Sequence, residues 1–353
     1  MQKNDWNPPA FGYAGRSGED LGAFFQKLTS RIRPAGSAQP SLDLCLFGKH
    51  PGWDDHMEDI GRQSREMLDF KRMLYVDGVG GNIDSGNWAH LPESERLARF
   101  NHLLITTKDD YCIMATLTAS ADGKGRNLYP IVAAVQARRL NLADLGRLVG
   151  PLLLDMREAV QNTSAAAEAQ SIVSGYQGHL DALLPNLSPA DARSNRLLTG
   201  HQAERLFSSD TAAAARVIYA LQRAVESIGH DASSVRTETL RAPLNSQQPW
   251  FAARLWCALA RSLVGPDKAV TAVEYRHETG IAAAAIPSGF VDLIIGNPGS
   301  AALFGLRAGA ARIPLVSDIP FELDESFKTQ IRQYLAACRT AGDNLAPAFP
   351  AMA

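Results

Sequence analysis

Asn101-His-Leu-Leu-Ile-Thr-Thr-Lys-Asp-Asp110-Tyr-Cys-Ile-Met-Ala-Thr-Leu-Thr118 is a pair of β-rich runs divided by a short polar break. Residues 101–107 and 111–118 are dense in Leu, Ile and Thr, and Lys108, Asp109 and Asp110 have the length and polarity of a hairpin turn. A connection this short makes the two strands antiparallel, since a parallel pair needs a long crossover. Working outward, Ser120-Ala-Asp-Gly-Lys-Gly-Arg126 leads into a third run over 129–136, and residues 142–160 carry a helical stripe. On the other side, Leu42, Leu44, Cys45, Leu46 and Phe47 form a buried strand that stops at Gly48. Met67, Leu68, Phe70, Met73 and Leu74 form the apolar stripe of a helix. The expected fold class is α/β, with a mainly antiparallel sheet flanked by helices rather than a doubly wound parallel one.

The rest of the chain sets the expected domain organisation. Residues 1–40 are an N-terminal extension with one amphipathic stretch, in which Leu21, Phe24, Phe25, Leu28 and Ile32 recur at helical spacing. Residues 41–160 are a first α/β domain. Residues 161–353 are a second α/β domain of unknown role that repeats the rhythm of the first, without any visibly repeated sequence. There an alanine-rich, helix-favouring region over 165–228, broken at Pro185 and Pro189, precedes a helix over 250–263. Runs over 270–275, 280–286 and 290–296 read as strands, and 297–306 and 327–338 as helices. Residues 78–86 hold five glycines or serines within nine positions and read as a flexible link.

Composition narrows the function. The 353 residues are 46% hydrophobic and 20% charged, ordinary for a globular protein. A formal charge of −2 gives no electrostatic drive toward nucleic acid or an anionic membrane. Cys45, Cys112, Cys257 and Cys338 are scattered without a CxxC pair, so neither a disulfide framework nor a zinc knuckle is indicated. With no apolar leader and no run long enough to span a bilayer, the expected location is the cytoplasm.

Each catalytic pattern has a plainer reading beside it. His50, Asp54, Asp55 and His56 are suitable zinc or manganese ligands by type, but their spacing matches no metal motif, and loop residues of this kind commonly cap the next helix. Asp122-Gly-Lys-Gly-Arg126 offers glycines and two cations to a phosphate. It joins strand to strand, however, and lacks P-loop spacing, which favours a tight turn with Arg126 paired to a carboxylate. No GxSxG motif or other nucleophile signature is present. The expectation is a non-enzymatic chain without a cofactor. The alternative is a metal- or phosphate-dependent hydrolase using the loops around His50 to His56 and Asp122 to Arg126.

Two motifs carry a family resemblance. The strand followed by Phe47-Gly48-Lys49-His50-Pro51, with an acid at Asp54 or Asp55, resembles the opening of the TagF/ImpM family of type VI secretion accessory proteins. Ser120-x-Asp122-x-x-Gly125-Arg126-x-x-Tyr129-Pro130 is similar to that family's second element, in the same order and at a matching separation. The resemblance covers about residues 42–160. The chain departs from the family where Trp53-Asp54-Asp55-His56 replaces a Gly-Asp pair. What the resemblance implies is a post-translational repressor of type VI secretion that binds a forkhead-associated scaffold protein or another secretion component, without membrane insertion. The implied binding or structural-loop residues are Gly48, Lys49, Pro51, Asp54, Asp55, Ser120, Asp122, Gly125, Arg126 and Pro130. In physical terms, Arg126 is expected to pair with Asp54, Asp55 or Asp122 and so tie both loops to one end of the sheet.

Overall fold

The computed structural model of the chain describes residues 39–90, 100–189, 199–207, 211–228, 237–243, 248–264, 268–276, 289–296 and 325–344. The expected elements at 21–32, 280–286 and 297–306 lie outside these residues. One eight-stranded sheet organises the described chain, in the order β2-β1-β5-β4-β3-β7-β8-β6 and with every pairing antiparallel. Its strands are β1 (Ser41–Gly48), β2 (Ile60–Gly61), β3 (Asn101–Lys108), β4 (Tyr111–Ala119) and β5 (Pro130–Arg138), followed by β6 (Thr237–Pro243), β7 (Val270–Arg276) and β8 (Gly289–Gly296). The hairpin of β3 and β4 closes with Lys108 opposite Tyr111, and Asp109 takes a positive φ of 49° in the turn.

The helices are α1 (Arg65–Lys71), α2 (Gly81–Asp84), α3 (Leu142–Asp144), α4 (Gly150–Gln161) and α5 (Ala166–Leu183), then α6 (Gly200–Phe207), α7 (Thr211–Ile228), α8 (Phe251–Leu263) and α9 (Glu325–Ala341). One sheet face, lined by Leu44, Leu103, Met114 and Val135, packs on α4, α5, α7 and α8, and α9 joins the same core through α6 and α7; that core includes Val160, Val173, Leu221, Trp256 and Leu335. The opposite face, lined by Phe47, Leu104, Ile113 and Val132, packs on Met67, Phe70 and Leu74 of α1 and its continuation. Both faces are dry, which explains why β1 and β5 are dense in apolar residues on both faces, with Asp43 and Gln136 buried among them, instead of showing the alternating pattern of a half-wet antiparallel sheet.

Three local features differ from the sequence expectation. Residues 78–84 are helical rather than a loose link and 85–86 form a turn: Arg72–Gly80 is π-helical and runs into α2, and in this stretch only Gly86, at 74°, has a positive φ. Gly80 lies in ordinary contact with Tyr129, where a Cβ would stand 3.7 Å from Cε1. Strands β2 and β6 were not expected. β2 is too short to leave a pattern, and the Thr-Glu-Thr-Leu-Arg-Ala-Pro of β6 is more polar than a buried strand. The sheet also runs across position 160. β3 and β7 pair over six register positions, and Thr106 and Thr271 share a buried hydroxyl bond of 3.0 Å at that seam.

Candidate functional site

The two sequence motifs meet at one end of the sheet, where β1 stops and β5 begins. Lys49 N donates to Pro130 O at 3.2 Å. Gly48 has a φ of 118°, and a Cβ there would stand 2.4 Å from Pro130 O, so this crossing of backbones requires glycine. A second backbone bond, from Gly123 N to Trp53 O at 2.7 Å, joins the loops directly. Gly125 supplies the positive φ of 75° that closes the 122–126 turn. Pro130 costs the sheet no donor because it opens β5 opposite Ala119.

Four charges meet at this joint, two of them enclosed. Lys49 is only 3% exposed, and its Nζ lies 2.9 Å from Asp122 Oδ2 and 2.5 Å from Asp55 Oδ1. Asp122 Oδ1 accepts from the backbone N–H groups of Lys124 and Arg126, both at 3.0 Å, while Oδ2 also accepts from Arg126 Nε at 2.7 Å. Burial pushes the Asp122 carboxyl up, but the bonds from Lys49, Arg126 and Lys124 outweigh it and hold the group well below the usual carboxylate range. The bond from Lys49 likewise draws Asp55 down. Arg126 Nη2 reaches the backbone oxygen of Asp54 at 2.7 Å and the Asp55 carboxylate at 3.2 Å. Two cations thus face two carboxylates and the network is neutral. The expected Arg126 pairing is present, to Asp55 and Asp122; Arg126 is 53% exposed, and the enclosed cation is Lys49. A lysine beside a buried carboxylate is not legible from spacing alone.

The histidines separate. His50, 1% exposed, accepts from Gly52 N on Nδ1 at 3.0 Å, which leaves the proton on Nε2 to face Val160 O at 3.3 Å and Thr163 Oγ1 at 3.1 Å. Both ring nitrogens are therefore committed, and burial keeps the ring neutral by lowering its pKa. This loop residue ties the C-terminal turn of α4 to the site. His56 turns the other way, toward the π-helix. Its Nδ1 lies 3.1 Å from Tyr75 Oη, and its ring meets Tyr75 and Tyr129 edge-on at 5.7 and 4.9 Å. Tyr129 donates to Asp84 at 2.6 Å. Burial, followed by the nearby Lys49 charge, lowers the His56 pKa. Among the described residues no group of three or more His, Cys, Asp or Glu is placed to hold a metal ion.

Of the remaining sequence candidates, Pro51 lies on the exposed rim of the loop, and Ser120 follows β4, half-buried and outside the charge network. Tyr75 and Tyr129 were missed as site residues: the first follows the apolar helical stripe ending at Leu74 and the second reads as the start of a strand. Burial raises both phenols, and the Cys45 thiol behind the loop is pushed up to about 12, so none of the three is an anion at neutral pH. The arrangement is suited to locking two loops into one surface.

No family model matches the sequence, and no curated protein does. Among solved structures, that of PA0076 from Pseudomonas aeruginosa PAO1 is similar over 80% of this chain and 99% of its own, at 14% identity and a TM-score of 0.36. A likeness of that size fixes neither strand pairing nor function. No described helix is long and apolar enough to cross a membrane.

Proposed function

We propose that the chain is a non-enzymatic, protein-binding regulator resembling the TagF repressor of type VI secretion, acting on a forkhead-associated scaffold protein. The observation that carries this reading is the neutral Lys49–Asp55–Asp122–Arg126 network, built from residues of both family-like motifs. An anion site for catalysis needs positive charge left over for its ligand, and here Lys49 and Arg126 are each opposed by carboxylates, which leaves Lys124 alone in the turn. Those bonds lie within and between the two loops and hold their outer surface in one shape, as recognition requires. The supporting experiment is affinity purification of the intact chain from its native cell, with mass spectrometry of what it retains. Specific enrichment of a forkhead-associated scaffold or other secretion component supports the proposal, and its absence removes it. A phosphate-induced rise in melting temperature that Arg126→Ala abolishes would put the hydrolase alternative first.

A further inference from the structure

Among the described residues, the exposed large hydrophobic side chains are Val76, 50% exposed, and Leu128, 58% exposed. They are far apart in sequence, and each adjoins a tyrosine of one aromatic cluster. Val76 follows Tyr75 and Leu128 precedes Tyr129, and the two tyrosine rings lie 6.0 Å apart between centroids. Tyr129 also rests against Gly80, one turn beyond Val76. A scattered exposed apolar side chain needs no explanation, whereas two beside one rigid aromatic cluster mark an interaction surface. Val76 stands on the π-helical segment Arg72–Gly80, a geometry frequent at functional sites.

The charges around the pair indicate what it meets. Lys49 and Arg126 are balanced by Asp55 and Asp122, and Arg72 lies 3.7 Å from Asp77. Asp84, which accepts from Tyr129, and Asp54, whose backbone oxygen holds Arg126, are both exposed. Neither carboxylate has a lysine or arginine partner among the described residues. The rim next to the apolar pair is therefore acidic, with Lys124 as the exposed cation on the turn beyond.

We infer that Val76 and Leu128 form the docking surface for a partner-protein segment that seats an apolar side chain between them and sets lysine or arginine against Asp54 and Asp84. This deepens the protein-binding reading above and rests on it. The apolar contact supplies affinity, and the acidic rim supplies orientation and a salt-dependent association rate.

The test places a benzoylphenylalanine photo-crosslinker at position 76 or 128 of the full chain in its native cell, with Ser174 on the exposed side of α5 as control. Crosslinked peptides are sequenced, and the recovered peptide is synthesised as the probe. Expected is one peptide of another protein, captured from both positions and not from 174, with an apolar residue flanked by Lys or Arg. Val76→Ser/Leu128→Ser should weaken its binding at least tenfold with the melting temperature unchanged. Crosslinks to a second copy, to this chain itself or to an acidic peptide overturn the inference. So does full binding of the peptide by the double variant. A secretion component that is recovered equally by that variant sinks this surface and leaves the regulator reading standing. Capture of a basic, apolar peptide from a protein unconnected with secretion supports the surface and counts against the regulator reading.

Discussion

Gly48→Ala tests whether the two loops are joined where the structure places the joint. The new methyl would stand 2.4 Å from Pro130 O and 3.1 Å from Ile131 Cα, both backbone atoms that no rotamer change can move. Alanine must also hold a φ of 118°, which costs of order 1 to 3 kcal/mol. Forcing β1 and β5 apart costs about as much again, in the range of overpacking a filled site. Unfolding entropy of about 2 cal/mol/K per residue makes each kcal/mol worth roughly 1.3 °C in a chain of 353 residues. The variant should therefore melt roughly 3 to 8 °C below wild type by scanning calorimetry. Two other glycines separate the contributions. Gly125 has a φ of 75° with nothing within 4 Å of a Cβ, so Gly125→Ala carries the backbone term alone, about 1 to 2 kcal/mol. Gly175 has the same open space inside α5, where alanine should stabilise by about 0.5 to 1 kcal/mol. The expected order of melting temperatures is Gly175→Ala above wild type, then Gly125→Ala, then Gly48→Ala. If Gly48→Ala melts with Gly125→Ala, the backbone crossing at Pro130 does not exist as described.

Three further outcomes follow from the same geometry. Lys49→Met should lower the melting temperature more than Arg126→Ala, because Lys49 is enclosed while Arg126 is 53% exposed and its pairs are screened, worth about 1 kcal/mol or less. The reverse order in thermal melts would return the central role to Arg126. Asp122 and Asp55 titrate below their ordinary value of 3.8, so their stabilisation is present above that value and is lost as pH falls through their lower folded values. Asp122→Asn should flatten the acid limb of a melting-temperature profile, and an unchanged limb contradicts the assignment. On the far side of the sheet, Arg241 and Asp292 form a buried bidentate pair at 2.6 and 2.8 Å, with the guanidinium 3.6 Å over the Phe290 ring. Arg241→Met should destabilise by about 3 to 5 kcal/mol, and Arg241→Met/Asp292→Leu should recover most of the loss; denaturant melts that find the double variant as weak as the single would refute it.

Legibility followed how local each signal was. Strands β1, β3, β4 and β5 were readable because the adjoining turns are short and the apolar runs are dense. The match of both loops to one sheet end was readable too, because each loop borders one of those strands. Tyr75 was not, since its site role depends on His56 lying across the fold, and nothing within the helix marks it out. Residues 78–86 misled for a definite reason. Their glycines sit within a helical segment, with negative φ at all but Gly86, and glycine content by itself does not separate that use from flexibility. The seam of β3 with β7 is a long-range pairing, and neither strand's sequence names its partner.

That seam bears on how the site is held. The polar contacts that fix the site loop come from well beyond it: His50 faces Val160 O and Thr163, and Gly52 fits against the start of α5, where a Cβ would meet Ala166 N at 2.5 Å. α5 in turn secures the outer edge of β1. Gln177 accepts from Leu44 N at 2.8 Å and donates to Leu42 O at 3.1 Å, in the manner of a neighbouring strand. Asp181 on the same helix pairs with Arg62 through two bonds of 2.8 and 2.6 Å, next to β2. A chain cut near residue 160 would lose α5, expose the backbone groups of β1 at Leu42 and Leu44, and uncover the β3 edge that β7 now covers. Exposed edges of that kind are templates for aggregation. The motif-bearing segment therefore depends on the second half of the chain for its stability, which gives residues 161–353 a structural part in the site even though no motif of the site lies within them.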